Sequence, residues 1–299
     1  MSMGKLSRRE FLAGMLAASA GMGTKGLRGE SDRVILASAT EPDPARSTRA
    51  AIGALGGMAR FVKRGQSVML LPNPQGRLEG ASTRPEIVAE VARLCLEAGA
   101  SRVEICSIHS GFRWRGTGID QAAERTGARI WSPGQSGDWM SVEVPGGRRH
   151  KSLEVITPVV ERDVLINMPI AKHHGSTRFT GTLKNLMGVN SSNTAWHSST
   201  AYLVDSIVDL ASVIRPALCV VDATVMLAEN GPFGPGRTIR PWSVIAGVDP
   251  VAVDTYSAGL LGMKPENVAT ISQAAERGLG TLRLVERETG SNLKTFCGA

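Results

Sequence analysis

The chain has 299 residues, is 42% hydrophobic and only 4% aromatic, and carries a formal charge of +7. Lys5, Arg8 and Arg9 less Glu10 supply +2 of this, and the +5 left downstream is spread without a basic block. Without basic runs or aromatic–basic interleaving, the chain does not have the make-up of a nucleic-acid binder. Small anionic molecules remain as the partner class, and the length suits one sizeable α/β domain.

At the N-terminus, Ser7-Arg8-Arg9-Glu10-Phe11-Leu12 leads into the soft apolar run Leu12 to Ala20, with Ala18-Ser19-Ala20 as a small-residue cleavage site. This order of parts reads as a twin-arginine export signal. The run is well short of the ~20 residues that a membrane-spanning helix needs. The expectation is a leader and linker over 1–30, a single α/β domain over 31–299, and a folded protein carried by the twin-arginine machinery to a periplasmic or other extracytoplasmic space. Because that route carries folded proteins, it raises the expectation of a bound metal or prosthetic group. Cys95, Cys106, Cys219 and Cys297 lack the short spacing of cluster and metal motifs, which disfavours an intrinsic iron-sulfur cluster. Cys95, Cys106 and Cys219 fall in helix and strand patterns and read as small buried hydrophobes.

In chain order, Val34-Ile35-Leu36-Ala37 predicts a first strand and Ser47 to Val62 a Gly/Ala-rich helix. Ser67 to Leu71 predicts a second strand, closed by Pro72-Asn73-Pro74. Thr83 or Ser82 can cap the next helix, with Pro85 in its first turn and Ile87, Val88, Val91, Leu94 and Cys95 as its apolar stripe. Gly99 ends that helix and Val103 to Cys106 forms the third strand, a rhythm that predicts a parallel sheet with right-handed crossovers. Residues 111–151 are rich in Gly, Arg, Trp and Ser and read as an irregular insertion over the sheet edge, with a helix at Ile119 to Thr126 and a strand at Ser141 to Val144. Strands at Asp163 to Asn167, Leu218 to Asp222 and Ser243 to Ala246, with helices at Thr200 to Ile214 and after Asp249-Pro250, complete the series. The fold class is α/β: a mostly parallel sheet flanked by helices.

In such sheets ligands gather beyond the carboxyl ends of the strands, and the residues there are polar. Asn73 follows strand two, where it can face a ligand or bond its own backbone in a turn. His109 follows strand three. Lys172-His173-His174 can place imidazole near a metal or a reacting proton while the lysine neutralises an anion. Thr180 to Gly188 reads as a short helix capped by Thr180, with Lys184 on the same face and its N-terminus open to an anion. Asp222 and Glu229 are spaced for direct contact with a ligand or metal. Asp249 is most simply a helix cap, and Asp254 a surface or supporting group. Gly231 opens a Gly/Pro loop that can offer backbone N–H groups to an anion or act as a stiff connector. No phosphate loop, dinucleotide fingerprint, nucleophile elbow or zinc-protease motif occurs.

Taken together, these segments resemble the family of domains of unknown function numbered 362. The matching pieces are Pro72-Asn73, Thr83-x-Pro85-Glu86, Glu97-Ala98-Gly99-Ala100, Asn167-x-Pro169, Lys172-His173, Thr180-Gly181 with Lys184-Asn185-Leu186-x-Gly188, Asp222, Glu229-Asn230-Gly231-Pro232 and Asp249 to Asp254. The resemblance implies an α/β fold and a polar centre of Lys172, His173, Lys184, Asn185, Asp222, Glu229, Asp249 and Asp254. It brings no established reaction. Leu71 stands where the family usually has a lysine, and the cysteine motifs of the ferredoxin module often associated with the family are absent. The functional expectation is an exported enzyme for a small anionic substrate. Lys172, His173, His174, Lys184 and Asp222 would do the chemistry, Asn73, Thr180, Asn185 and Gly231 would bind, and Glu229, Asp249 and Asp254 would hold a divalent metal. The alternative is a non-catalytic cofactor- or metal-binding accessory of an exported redox partner.

Overall fold

The computed structural model describes residues 34–108, 114, 116–134, 136–287 and 289–298. The export signal, its linker and His109 lie outside the described residues. The chain opens with β1 (Val34–Thr40), α1 (Pro44–Ala54), β2 (Ser67–Pro72), α2 (Pro85–Glu97), β3 (Arg102–Cys106), α3 (Ile119–Thr126) and β4 (Arg129–Trp131). It continues through β5 (Trp139–Glu143), β6 (Ser152–Ile156), α4 (Thr157–Glu161), β7 (Val164–Met168), β8 (Lys172–His174), β9 (Arg178–Thr180), α5 (Thr182–Asn185) and α6 (Asn193–Trp196). The rest is α7 (Thr200–Val213), β10 (Leu218–Ala223), β11 (Met226–Leu227), β12 (Thr238–Ile239), β13 (Ser243–Gly247), α8 (Pro250–Leu260), α9 (Ala269–Glu276), β14 (Leu284–Arg287) and β15 (Leu293–Gly298).

Nine strands form one sheet in the order β14-β15-β1-β13-β10-β7-β2-β3-β4. The run from β10 to β4 is parallel throughout, whereas β13 and β15 pair antiparallel with both neighbours, so seven of the nine strands point the same way. Both faces of the sheet are covered, which is why its strands are continuous apolar runs. Met69, Leu71, Leu165, Cys219 and Val221 pack on one face with α7, α8 and α9, and Val68, Leu70, Ile166, Leu218 and Val220 pack on the other with α1, α2 and α3. Within residues 111–151, α3 and β4 extend the edge of the sheet and β5 begins a separate hairpin with β6. All four cysteines are buried. Among the described residues no helix is long and apolar enough to cross a membrane.

Three local expectations are corrected. Helix α1 starts earlier, at Asp43-Pro44, where the Asp43 side chain accepts from the Ala45 N–H, and it ends at Ala54 rather than reaching Val62. Thr83 does not cap α2, since its hydroxyl is already spent accepting from the Asn73 N–H and donating to the Met168 carbonyl. Thr180 does not cap a helix either. Its backbone is paired with Lys172 in the β8–β9 hairpin, and α5 begins only at Thr182.

Candidate functional site

A cavity of about 320 Å³ opens beyond the carboxyl ends of β2 and β3, where an open α/β sheet gathers ligands. Its floor carries Asn73 and Ser107, which follow those strands, and its walls carry His174 and Thr180 from the β8–β9 hairpin, Lys184 and Asn185 from α5, and His197. Pro72, Pro74, Met187, Pro232 and Phe233 supply the apolar part.

Lys184 and Thr180 define its electrostatics. The Lys184 side chain is buried, with its Nζ 3.4 Å from the Met187 sulfur, and among the described residues no carboxylate pairs with it. Burial pulls its pKa down to about 8, the direction expected for an ammonium taken from water without a counter-ion. Thr180 lines the same cavity, and its hydroxyl is buried and has no hydrogen-bond partner among the described residues. Buried polar groups are nearly always satisfied, so an orphan hydroxyl on a residue of the cavity lining marks a polar gap at this place.

Lys172 is close behind the wall but is not free to act. Its Nζ meets four oxygens: the Ala81 carbonyl at 2.6 Å, the Pro232 carbonyl at 3.2 Å, and Asn73 Oδ1 and Gln75 Oε1 at 3.3 Å. Three protons are thus shared among four acceptors, which ties residues 73–81 to the 232 loop. Burial and the nearby Lys184 charge lower its pKa to about 7. From Asn73 an amide chain continues: Asn73 Nδ2 donates to Asn185 Oδ1 at 2.9 Å, Asn185 Nδ2 to Asn167 Oδ1 at 2.8 Å, and Asn167 Nδ2 to the Thr182 carbonyl at 2.8 Å. Such a saturated buried network fixes each member's orientation, and it sets the height of α5 and hence of Lys184.

The histidines separate. His174 faces the cavity and its Nδ1 accepts from the backbone N–H groups of Ser176 and Thr177. Burial, then the charges of Lys184, His197, Lys172 and His173, push its pKa down to about 3. His173 is not on the cavity wall, and its Nδ1 accepts from the Gly231 N–H at 3.1 Å. His197 is on the wall, with its ring centre 6.5 Å from that of His174.

The carboxylates are not brought together. Asp222 is fully buried and clips loops, with Oδ1 accepting from the Thr224 N–H and hydroxyl and Oδ2 from the Arg84 N–H, and burial raises its pKa. Asp249 caps α8 through the Val251 and Ala252 N–H groups, as its place before Pro250 suggested. Asp254 accepts from the Thr182 and Leu183 N–H groups, so the N-terminus of α5 that looked open to an anion is already occupied. Glu229 is exposed, bonded to the Arg237 N–H. Among the described residues no three His, Cys, Asp or Glu side chains group as metal ligands. Gly231 binds no cavity either: a Cβ there would overlap the His173 carbonyl, so glycine serves close packing of the two loops.

The structure therefore unites Asn73, His174, Thr180, Lys184 and Asn185, and sets Lys172, His173, Asp222, Gly231, Glu229, Asp249 and Asp254 behind or away from them. Sequence reasoning missed Ser107, Ser176, Met187, Asn193, Phe233 and His197 on the wall. His197 in the polar stretch before α7 was the one residue whose type could have signalled a role.

An α/β sheet with a lysine-bearing cavity at its carboxyl edge is the class of protein that fold and site define. Residues 68–259 match the family described as Domain of unknown function (DUF362), and the chain belongs to it. It is 31% identical over 249 residues to the Thylakoid-associated protein sll1697 of Synechocystis sp. (strain ATCC 27184 / PCC 6803 / Kazusa), covering 78% of this chain and 74% of that protein. Among solved structures it is similar to the lactate racemase apoprotein from Thermoanaerobacterium thermosaccharolyticum, with a TM-score of 0.44 and 13% identity over 75% of this chain. The match spans 56% of that solved chain.

Proposed function

We propose that this protein is an enzyme that takes a small anion into the cavity, with Lys184 and Thr180 holding the charged end and imidazole moving a proton at the other. One observation carries the reading: among the described residues, a buried ammonium without a carboxylate partner belongs to the cavity lining, and another residue of the same lining carries a buried hydroxyl without a hydrogen-bond partner. A bound anion satisfies both at once, supplying the counter-charge and the hydrogen-bond acceptor that the protein withholds. Asn73 and Asn185 border the same end and hold its shape through their amide chain rather than by charge.

Calorimetry of the full chain with acetate and with inorganic phosphate tests this. Saturable binding to the wild type that disappears in Lys184→Met is the expected result. A folded wild type that binds no small anion would overturn the reading. On the same proposal the twin-arginine segment delivers the folded protein beyond the cytoplasm. Replacing Arg8 and Arg9 together by Lys should hold it inside, as cell fractionation would read directly.

A further inference from the structure

Among the described residues the cavity lining holds one lysine, Lys184, with no arginine and no carboxylate. His174 adds no positive charge, because burial first, and then the charges of Lys184, His197, Lys172 and His173, keep its pKa down at about 3. Lys172 stands behind the wall with its ammonium committed to four protein oxygens. One ammonium with no acid beside it is the counter-charge for one negative charge. A second anionic group in the same space would be stripped of water with no cation of its own to meet.

Much of the remaining polar capacity of the lining is spent inside the protein. Asn185 is engaged at both ends of its amide: Oδ1 accepts from Asn73, and Nδ2 donates to the Leu71 carbonyl at 2.9 Å and to Asn167 Oδ1 at 2.8 Å. Asn73 Oδ1 and Gln75 Oε1 each accept from Lys172. Asn193 donates to the Met187 carbonyl and accepts from Asn190. Alongside these engaged amides stand Pro72, Pro74, Met187, Pro232 and Phe233. The apolar part begins beside the charge, with the Met187 sulfur 3.4 Å from Lys184 Nζ, and it reaches the mouth, where Phe233 is 51% exposed. The chain before Phe233 is anchored, the Pro232 carbonyl by Lys172 and the Gly231 N–H by His173. An exposed aromatic residue in a cavity lining is apolar surface that a ligand can take out of water.

A cavity of about 320 Å³ is the size of sites that take whole organic molecules, and a lone acetate or phosphate would leave most of it to water. We infer that the ligand is an amphipathic monoanion: a singly charged head group such as a carboxylate at Lys184, carrying an apolar body of several carbons that runs past Met187 towards Phe233. The inference rests on the anion reading of the same cavity and names the substrate class within it. Dicarboxylates and phosphate monoesters fall outside that class, since each brings negative charge beyond the one that Lys184 balances.

Calorimetry of the full chain at pH 7 with acetate, butyrate, hexanoate and succinate tests the inference. Each CH₂ taken out of water is worth about fourfold in affinity, so butyrate should bind on the order of tenfold more tightly than acetate, and hexanoate more tightly still. Succinate, which is butyrate with its methyl end exchanged for a second carboxylate, should bind at least about tenfold more weakly than butyrate. Phe233→Ser should flatten the rise from butyrate to hexanoate and Phe233→Leu should keep most of it, a pattern that a merely structural role for the ring does not produce. Equal binding of acetate and hexanoate, or succinate matching butyrate, would overturn the assignment of an apolar monoanion while leaving the anion site standing. Failure of every anion to bind overturns the anion reading itself, and this inference with it.

Discussion

At Lys184, stability and function pull in opposite directions. Its pKa falls from 10.5 in an exposed chain to about 8 in the fold, so the unfolded chain binds the extra proton between those values and stability rises as pH climbs through that window. Below pH 8 the full penalty of a buried, unpaired ammonium applies. Lys184→Met should therefore lose anion binding yet gain on the order of 1–3 kcal/mol of stability at pH 7, read by chemical denaturation. A lysine kept for packing alone would show the reverse. The same proton sets the pH profile of binding: affinity should be level between about pH 6 and pH 8 and fall about tenfold per unit above it, measured by titration of the wild type with acetate, whose own charge is constant over that range. The lysine was legible in the sequence as an anion-binding candidate, but its isolation was not, because the absence of a carboxylate partner is a property of neighbours drawn from other segments.

Helix α5 shows how an element is held by a residue far away in the chain. Four residues cannot make a stable helix by themselves, and the Asp254 carboxyl group from α8 takes its first two N–H groups. Gly181 permits this approach, since a Cβ there would overlap both the Asp254 carboxylate and the Phe179 ring. Burial raises the Asp254 pKa from 3.8 to about 7, so the folded state binds a proton more readily than the unfolded chain, and this group makes stability fall as pH rises from about 4 to about 7. Asp254→Asn should remove that slope while leaving one N–H of α5 facing an amide that cannot accept it. The expected cost is about 1–3 kcal/mol at pH 7, with weaker anion binding because Lys184 shifts, checked by denaturation across pH and by calorimetry. The sequence placed a helix at this site but chose Thr180 as its cap, since local pattern shows a hydroxyl three residues away more readily than a carboxylate 72 positions on.

Across the whole molecule, the sheet and its covering helices determine which polar residues meet. The loop after β5 is docked by Asp209 of α7, whose buried carboxylate accepts from the N–H groups of Arg148, Arg149 and His150 and from the Arg277 guanidinium. These bonds hold its pKa below the usual range against the opposing effect of burial. Asp209→Ala leaves a partly buried arginine and three N–H groups without their acceptor, and should cost about 3–5 kcal/mol in thermal or chemical unfolding without altering anion affinity at the cavity. Equal loss of stability and anion affinity would mean that the hairpin and the cavity are coupled.

Apolar runs ending in Gly, Pro and Asn were enough to locate most strands and helices of the sheet core, including α3, α7 and β10, because burial on both faces writes itself into continuous hydrophobic sequence. The same runs could not reveal that β13 enters antiparallel between β10 and β1, since strand direction leaves no trace in apolar content. Sequence also marked the band of polar residues beyond the strand ends. Only the tertiary structure divided that band into Lys184, Thr180 and His174 lining a cavity, Lys172 and Asp222 clipping loops, and Asp254 capping α5, whereas the cap at Asp249 was already legible before Pro250. Whether a charge serves a ligand or the fold is decided by which backbone groups reach it first, and those come from segments that only folding brings together.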